Sequence, residues 1–183
     1  MVTVAHGFDF GACMEAIAAV EADLKELTST LSDSQFHAPP RSGGWSVGYC
    51  IEHLVLTGRA FLANWDAAVR HAAASRNGTG MVAYHWWQRI LLRFAEPPYR
   101  MKTSTKPTFV PYSRYSREET IRRFMQMHRA FARLVEGCRG LDVEGTRVQS
   151  PFVSWLSYSL GFSFDLVLAH ERRHLWQARQ VRL

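Results

Sequence analysis

Apolar residues recur three and four positions apart over long stretches of this chain, and this period limits its fold more than any other feature. The clearest stripe consists of Cys13, Ile17, Val20, Leu24, Leu27 and Leu31. Residues at this spacing share one face of an α-helix. A stripe this narrow is typical of a helix packed into a bundle.

Three further stretches show the same period between turn-forming residues. Ser46 offers an N-cap for the second helix, and Ser116 followed by Glu119 has the capping-box pattern at the start of the third. The predicted helices run from about Phe8 to Leu31, Val47 to Ala74, Ser116 to Gly137 or Gly140, and Ser154 to Arg179.

The second and third predicted helices are separated by residues 75–116, the longest stretch with no sustained helical period. It contains several prolines and a short amphipathic piece from Tyr84 to Phe94, which carries Trp86 and Trp87. Three roles are open for these tryptophans: they cover a pocket, form a homodimer contact or pack against the rest of the domain. The sequence therefore predicts an all-α fold, a four-helix bundle with a long connection between helices two and three.

Composition bounds the class of protein. With 183 residues, of which 47% are apolar, we expect a single domain over residues 1–183. No apolar run approaches the roughly 20 residues of a membrane span. The first residues show no basic flank before an apolar stretch, so we expect no secretory signal, no membrane contact and a cytoplasmic protein.

Net charge and cysteines argue against two further classes. The net charge is +6, but the arginines are scattered and the densest clusters lie on predicted helices, so we expect no nucleic-acid partner. A small anionic substrate would explain the excess of positive charge equally well. Cys13, Cys50 and Cys138 have no close spacing, which favours buried residues over a disulfide framework or a cysteine-rich zinc site.

Three histidines form the strongest chemical pattern. His170 and His174 are four residues apart on the fourth predicted helix, so their imidazoles share one face. His53 lies on the inner stripe of the second helix. Burying three imidazoles together is costly unless something shared satisfies them. The pattern predicts a three-nitrogen metal site with an open position, which is typical of catalytic rather than structural metal centres.

Two other interpretations concern the neighbours of these histidines. His170-Glu171-Arg172-Arg173-His174 matches the H-E-x-x-H pattern of zinc proteases, with Glu171 as the general base. No metal-binding side chain follows His174, so we expect Glu171 to be a surface carboxylate or to support a ligand instead. His128 lies on the inner face of the third helix, where a core or supporting role is favoured over a fourth ligand.

The segment from Gly44 to Leu54, Gly-Trp-Ser-Val-Gly-Tyr-Cys-Ile-Glu-His-Leu, and the late His170-x-x-x-His174 with Gln177 resemble the DinB-like superfamily of metal-binding four-helix bundles. The resemblance extends over the chain in helix order. It implies that His53, His170 and His174 bind a divalent metal, commonly zinc or nickel. Relatives include transferases that use low-molecular-weight thiols, a thiol-dependent isomerase and proteins of no known activity.

Together these observations predict a metal-dependent enzyme that transfers a low-molecular-weight thiol to a small electrophilic substrate. A metal-dependent hydrolase, or a non-catalytic bundle that binds a metal or small ligand, remains open. Three neutral ligands leave the charge of the ion uncompensated, so a thiol or water would lose its proton more easily. Asn64, Ser163 and Gln177 lie on the inner stripes and are predicted to orient the ligand.

Overall fold

A computed structural model describes residues 7–41, 43–75, 82–98, 104–112 and 115–181. The helices are α1 (Phe10–Ser29), α2 (Asp33–His37), α3 (Val47–Val69), α4 (Trp86–Ala95), α5 (Arg117–Gly137) and α6 (Leu160–Gln180). Four of them, α1, α3, α5 and α6, are long. Helix α3 packs against α5 and α6, and α1 packs against the same two, so the long helices form a four-helix bundle.

Two short antiparallel ladders lie beside the bundle. Strands β1 (Gly7–Phe8) and β2 (Val82–Ala83) pair near the start of α1. Strands β3 (Arg147–Gln149) and β4 (Ser157–Ser159) pair just before α6, with Val148 opposite Tyr158. A 3-10 turn over Pro107–Phe109 contacts α3.

Side-chain caps fix where the long helices begin. Asp9 Oδ1 accepts a hydrogen bond from the Ala12 backbone N–H at 2.8 Å, and Ser46 Oγ accepts one from the Tyr49 N–H at 3.2 Å. Ser116 Oγ accepts from the Glu119 N–H at 3.2 Å. Each bond satisfies a backbone donor that the first helical turn leaves free. The predicted N-caps Ser46 and Ser116 are confirmed.

Two of the predicted helix bounds are wrong. The second long helix ends at Val69 rather than near Ala74. The fourth begins at Leu160 rather than near Ser154, because residues 157–159 pair with β3 as a strand. The segment between α3 and α5 lies partly outside the described residues, so the long connection there stays a prediction.

Aromatic side chains fill one end of the core. The Trp65 ring lies 4.7 Å from the Phe131 ring and 4.9 Å from the Phe164 ring, measured between centroids. Cys50 and Cys138 are buried, as predicted, and burial raises the pKa of their thiols to about 12 and about 11. In the described part of the chain, no helix is both long and apolar enough to span a membrane.

Candidate metal centre

Helices α3 and α6 bring the three predicted histidines together. His53 lies in the second turn of α3, whereas His170 and His174 lie one turn apart in the second half of α6. The ring centroids are separated by 4.6 Å for His53 and His174, 5.3 Å for His53 and His170, and 4.5 Å for His170 and His174. One nitrogen of each ring lies within 4.8 Å of the other two. We call these three residues the histidine triad.

A backbone carbonyl orients the first histidine. His53 Nδ1 lies 2.8 Å from the carbonyl oxygen of Phe109, at the end of the 3-10 turn. A carbonyl can only accept, so Nδ1 donates its proton to it and Nε2 keeps a free lone pair. Metal-binding histidines commonly use their second nitrogen in this way, which fixes both the tautomer and the ring direction.

The other two histidines each leave a buried nitrogen without a hydrogen bond. His170 is partly exposed as a residue, but its Nε2 is buried, and so is Nδ1 of His174; neither has a partner among the described residues. An orphaned polar atom in a protein interior carries the full cost of its desolvation. Two such nitrogens in rings that converge on each other fit a divalent metal ion, which accepts lone pairs from neutral imidazoles.

Electrostatics keep the triad neutral. Burial lowers the pKa of His170 well below its ordinary value, and the nearby His174, His53 and Arg173 lower it further. The pKa of His174 falls to about 3, chiefly through burial and also through His53 and Arg173. Burial lowers the pKa of His53 as well, against the opposing effect of the Phe109 carbonyl. All three rings therefore carry free lone pairs at neutral pH, as metal ligation requires.

Aromatic rings enclose the triad on two sides. The Trp45 ring stacks on His174 at 6.1 Å between centroids and lies 5.0 Å from His53. Phe152 lies 5.8 Å from His170 and 5.0 Å from Phe109. These apolar walls lower the local dielectric constant, which strengthens the interaction of any charge held at the triad.

The carboxylates next to the triad in sequence turn away from it. Glu52 accepts a hydrogen bond from Arg123 Nη2 at 3.0 Å, and Glu171 Oε2 lies 3.0 Å from His128 Nε2. Both partners belong to α5. Glu171 is 1% exposed, so it is not a surface residue, and its pairing with His128 argues against the general base of the H-E-x-x-H pattern. His128 is fully buried, as expected for either of the two roles predicted for it, a core residue or a residue that supports a ligand.

The three residues predicted to orient a ligand lie in two places. Gln177 interacts with His174, which raises the pKa of that ring slightly against the effect of burial. Ser163 Oγ instead accepts from Trp65 Nε1 at 2.8 Å, deep in the core. Seven residues separate Ser163 from His170, which places it roughly 10 Å away along α6 at about 1.5 Å per residue. The structure therefore brings Gln177, but not Ser163, to the triad.

Asn64, like Ser163, lies away from the triad: it is near the C-terminal end of α3, whereas His53 is near the N-terminal end. Its Nδ2 donates to the Gln149 carbonyl at 2.8 Å. It lines a cavity of about 550 Å³ together with His71, Asp142 and Arg147. Eleven residues separate Asn64 from His53, roughly 16 Å along the helix, so this cavity is distinct from the triad.

Sequence reasoning did not identify three residues that surround the triad. The position of Trp45 could have been inferred from the sequence, because Trp45 directly precedes the N-cap Ser46 and lies about two helical turns before His53. Phe109 acts through its backbone carbonyl, which no side-chain pattern reveals. Phe152 lies in the loop between β3 and β4, whereas the sequence places it just before a fourth helix that begins near Ser154. Because that helix bound is wrong, the position of Phe152 could not be predicted.

Comparison with known proteins agrees with this architecture. The solved structure of YfiT from Bacillus subtilis, described as a probable metal-dependent hydrolase with an unusual four-helix bundle topology, superposes with a TM-score of 0.60. The alignment covers 94% of this chain and 85% of YfiT at 15% sequence identity, so the likeness concerns the fold. No curated protein matches the chain. The sequence profile of the DinB superfamily matches residues 16–178, and the chain therefore belongs to the DinB superfamily.

Proposed function

We propose that the protein is a metal-dependent enzyme in which His53, His170 and His174 bind one divalent ion, zinc or nickel. The observation that carries this proposal is a pair of buried nitrogens, one on His170 and one on His174, with no hydrogen-bond partner in the described part of the chain. They lie beside a third imidazole whose ring direction is fixed by Phe109. When bound, such an ion supplies positive charge that lowers the pKa of a coordinated thiol or water, in the case of water to about 7.

The reaction we favour is transfer of a low-molecular-weight thiol to a small electrophile. The thiol loses its proton to solvent, its sulfur forms a bond to the electrophilic carbon, and the electron pair of the broken bond leaves with the displaced group. The triad ligands are neutral, so they preserve the positive charge that stabilises a thiolate. Glu52 and Glu171 are engaged on α5, which suits a nucleophile activated without a neighbouring carboxylate base.

Hydrolysis is the second candidate. Its support is the fold shared with YfiT, whose description is that of a probable metal-dependent hydrolase. In that reaction water would take the place of the thiol at the same three histidines. Gln177, which interacts with His174, is positioned to orient either nucleophile.

Proton release distinguishes the two candidates. Metal-loaded protein is mixed with bacillithiol, mycothiol or glutathione in a weakly buffered solution, and the released protons are followed with a pH indicator. Thiol transfer predicts about one proton per site at neutral pH for one of these thiols and none for the His53→Ala variant, because the ion stabilises thiolate over thiol. Absence of release, together with an unperturbed spectrum of the cobalt-substituted protein, would favour hydrolysis.

A further inference from the structure

Helix α5 contributes no histidine to the triad, yet it contacts both helices that do. Arg123 Nη2 donates to Glu52 on α3 at 3.0 Å, and the Arg123 guanidinium lies 4.0 Å from the centre of the Tyr115 ring. Five residues later, His128 Nε2 lies 3.0 Å from Glu171 on α6. The other ring nitrogen of His128 lies 3.6 Å from Glu21 on α1.

Both carboxylates that α5 holds, Glu52 and Glu171, are immediate sequence neighbours of a triad residue. Glu52 precedes His53, and Glu171 follows His170. Adjacent residues point about 100° apart around a helix. A carboxylate held on α5 therefore restrains rotation of its helix about the helix axis, and this restraint acts on the direction of the imidazole beside it.

Both pairs are buried, so forming them costs the desolvation of polar and charged groups. His128 and Glu171 are 0% and 1% exposed, and Glu52 is 4% exposed. Apolar side chains of similar size would pack in the same places with no desolvation penalty. The best-attested use of such buried polar contacts is to select one register among several similar packings. In this protein the observed packing is the one in which the three rings converge.

We propose that Arg123 and His128 are positioning residues, which hold α3 and α6 in the rotation that aligns the histidine triad. This inference rests on the proposed function only for the metal, since the alignment of the rings is a property of the chain itself. Glu52 and Glu171 act through the same two contacts.

The test replaces a whole pair, so that neither fully buried member is left alone; Glu21, which also faces His128, keeps partial access to solvent. In the His128→Leu/Glu171→Leu double variant, helix content and folding should persist, because an apolar pair fills the space. We expect its affinity for zinc, measured by competition with a chromophoric chelator, to fall about tenfold or more, as for other residues that support metal ligands. The absorption spectrum of the cobalt-substituted protein should change in parallel, which a loss of stability alone would not produce.

A metal-free readout separates this proposal from the proposed function. Nuclear Overhauser contacts between the rings of His53 and His174 should be present in the wild-type protein and weaker in the double variant. If the wild type binds no metal, the proposed function fails, and these ring contacts alone decide the alignment. Unchanged affinity, spectrum and ring contacts would overturn the proposal.

Two further variants complete the design. Glu52→Gln/Arg123→Met tests the second contact if the first variant does not fold, and the same loss of alignment is expected. Glu119→Gln/Arg122→Gln removes an ion pair that lies on the surface of the same helix. This control should leave zinc affinity and ring contacts at wild-type values; a loss equal to that of the buried pairs would contradict a specific positioning role.

Discussion

Histidine side chains lie in two opposite environments inside this bundle. His128 has a carboxylate on each side, Glu171 at 3.0 Å and Glu21 at 3.6 Å, and its ring stacks on Phe124 at 4.3 Å. Burial lowers the pKa of His128, but the two carboxylates raise it by more, so the net shift is upward. In the triad the pKa shifts run downward. One buried nitrogen of His170 and one of His174 have no hydrogen-bond partner among the described residues, whereas Nδ1 of His128, which also makes no hydrogen bond, still lies near the Glu21 carboxylate.

The difference shows that burial alone does not determine what a histidine does. Where the protein supplies a counter-charge, as beside His128, the imidazole belongs to a structural ion pair. At the triad the described residues supply aromatic walls, other imidazoles, the Phe109 carbonyl and Gln177, but no acidic group lowers the cost of a charged ring. The lone pairs of the neutral imidazoles are then available to a metal ion. The two environments lie on different faces of α6, one residue apart at His170 and Glu171.

The largest expected effect comes from applying one substitution to both environments in metal-free protein. His128→Leu leaves Glu171 buried without a partner and should reduce the free energy of unfolding by about 3–5 kcal/mol. His174→Leu removes an orphaned nitrogen and fills similar space, so its effect should stay within about 1 kcal/mol. Denaturant unfolding measures both. Equal losses would show that the two environments do not differ in the way described.

The pH dependence of stability should run in opposite directions for the two environments. For His174 the folded-state pKa is about 3, below the ordinary value of 6.5, so the unfolded state binds more protons between these values. Its contribution to stability is therefore lost as pH falls through that interval. For His128 the folded-state pKa is raised, so its contribution is complete below 6.5 and is lost as pH rises through the folded-state pKa.

Thermal unfolding of the metal-free protein over a range of pH tests this contrast. His174→Leu should flatten the decline on the acidic side, whereas His128→Leu should flatten the decline on the alkaline side, where Glu171 and Glu21 no longer gain from a protonated partner. Parallel pH profiles for the two variants and the wild type would contradict the opposite pKa shifts.

The smallest effect is expected at the two arginines between the triad residues of α6. Arg172 forms an ion pair with Glu96, in which Arg172 Nε donates to Glu96 Oε2 at 3.0 Å. Arg173 Nη1 lies 3.5 Å from the Phe94 carbonyl oxygen. Neither is a metal ligand, so Arg172→Ala and Arg173→Ala should keep the metal content. Arg173→Ala should bind metal slightly more tightly, because a positive charge near the site is removed. Elemental analysis that shows metal loss in both variants would mean that the face of α6 is misassigned.

The helical period of the sequence was enough to predict four long helices and to place the three histidines on faces that meet. It could not predict the start of α6, because the Ser157–Ser159 strand is too short to show an alternating pattern and depends on β3 for its partner. Nor could it separate Ser163 from the triad. Ser163 and the histidines of α6 lie on one stripe. The Ser163 hydroxyl is held in the core because it accepts a hydrogen bond from the Trp65 indole and donates one to the Leu160 carbonyl.

The pairing of His128 with Glu171 was also beyond the sequence. A helical wheel places Glu171 beside His170 but does not say which neighbouring helix it faces. The H-E-x-x-H pattern predicts that Glu171 faces the metal site. The packing of α5 against α6 instead places the imidazole of His128 beside the Glu171 carboxylate. A local pattern predicts the face of a helix, and only the tertiary arrangement shows what that face contacts.

Metal stoichiometry tests the central claim most directly. Protein purified and then dialysed against zinc is analysed for metal, with the His53→Ala/His170→Ala/His174→Ala variant beside a His71→Ala/His85→Ala control that removes exposed histidines. We expect about one ion per chain in the wild type and the control, as in three-histidine sites generally, and none in the triple variant. Equal metal content in the triple variant and the wild type, or none in the wild type, would contradict the assignment of the triad as a metal centre.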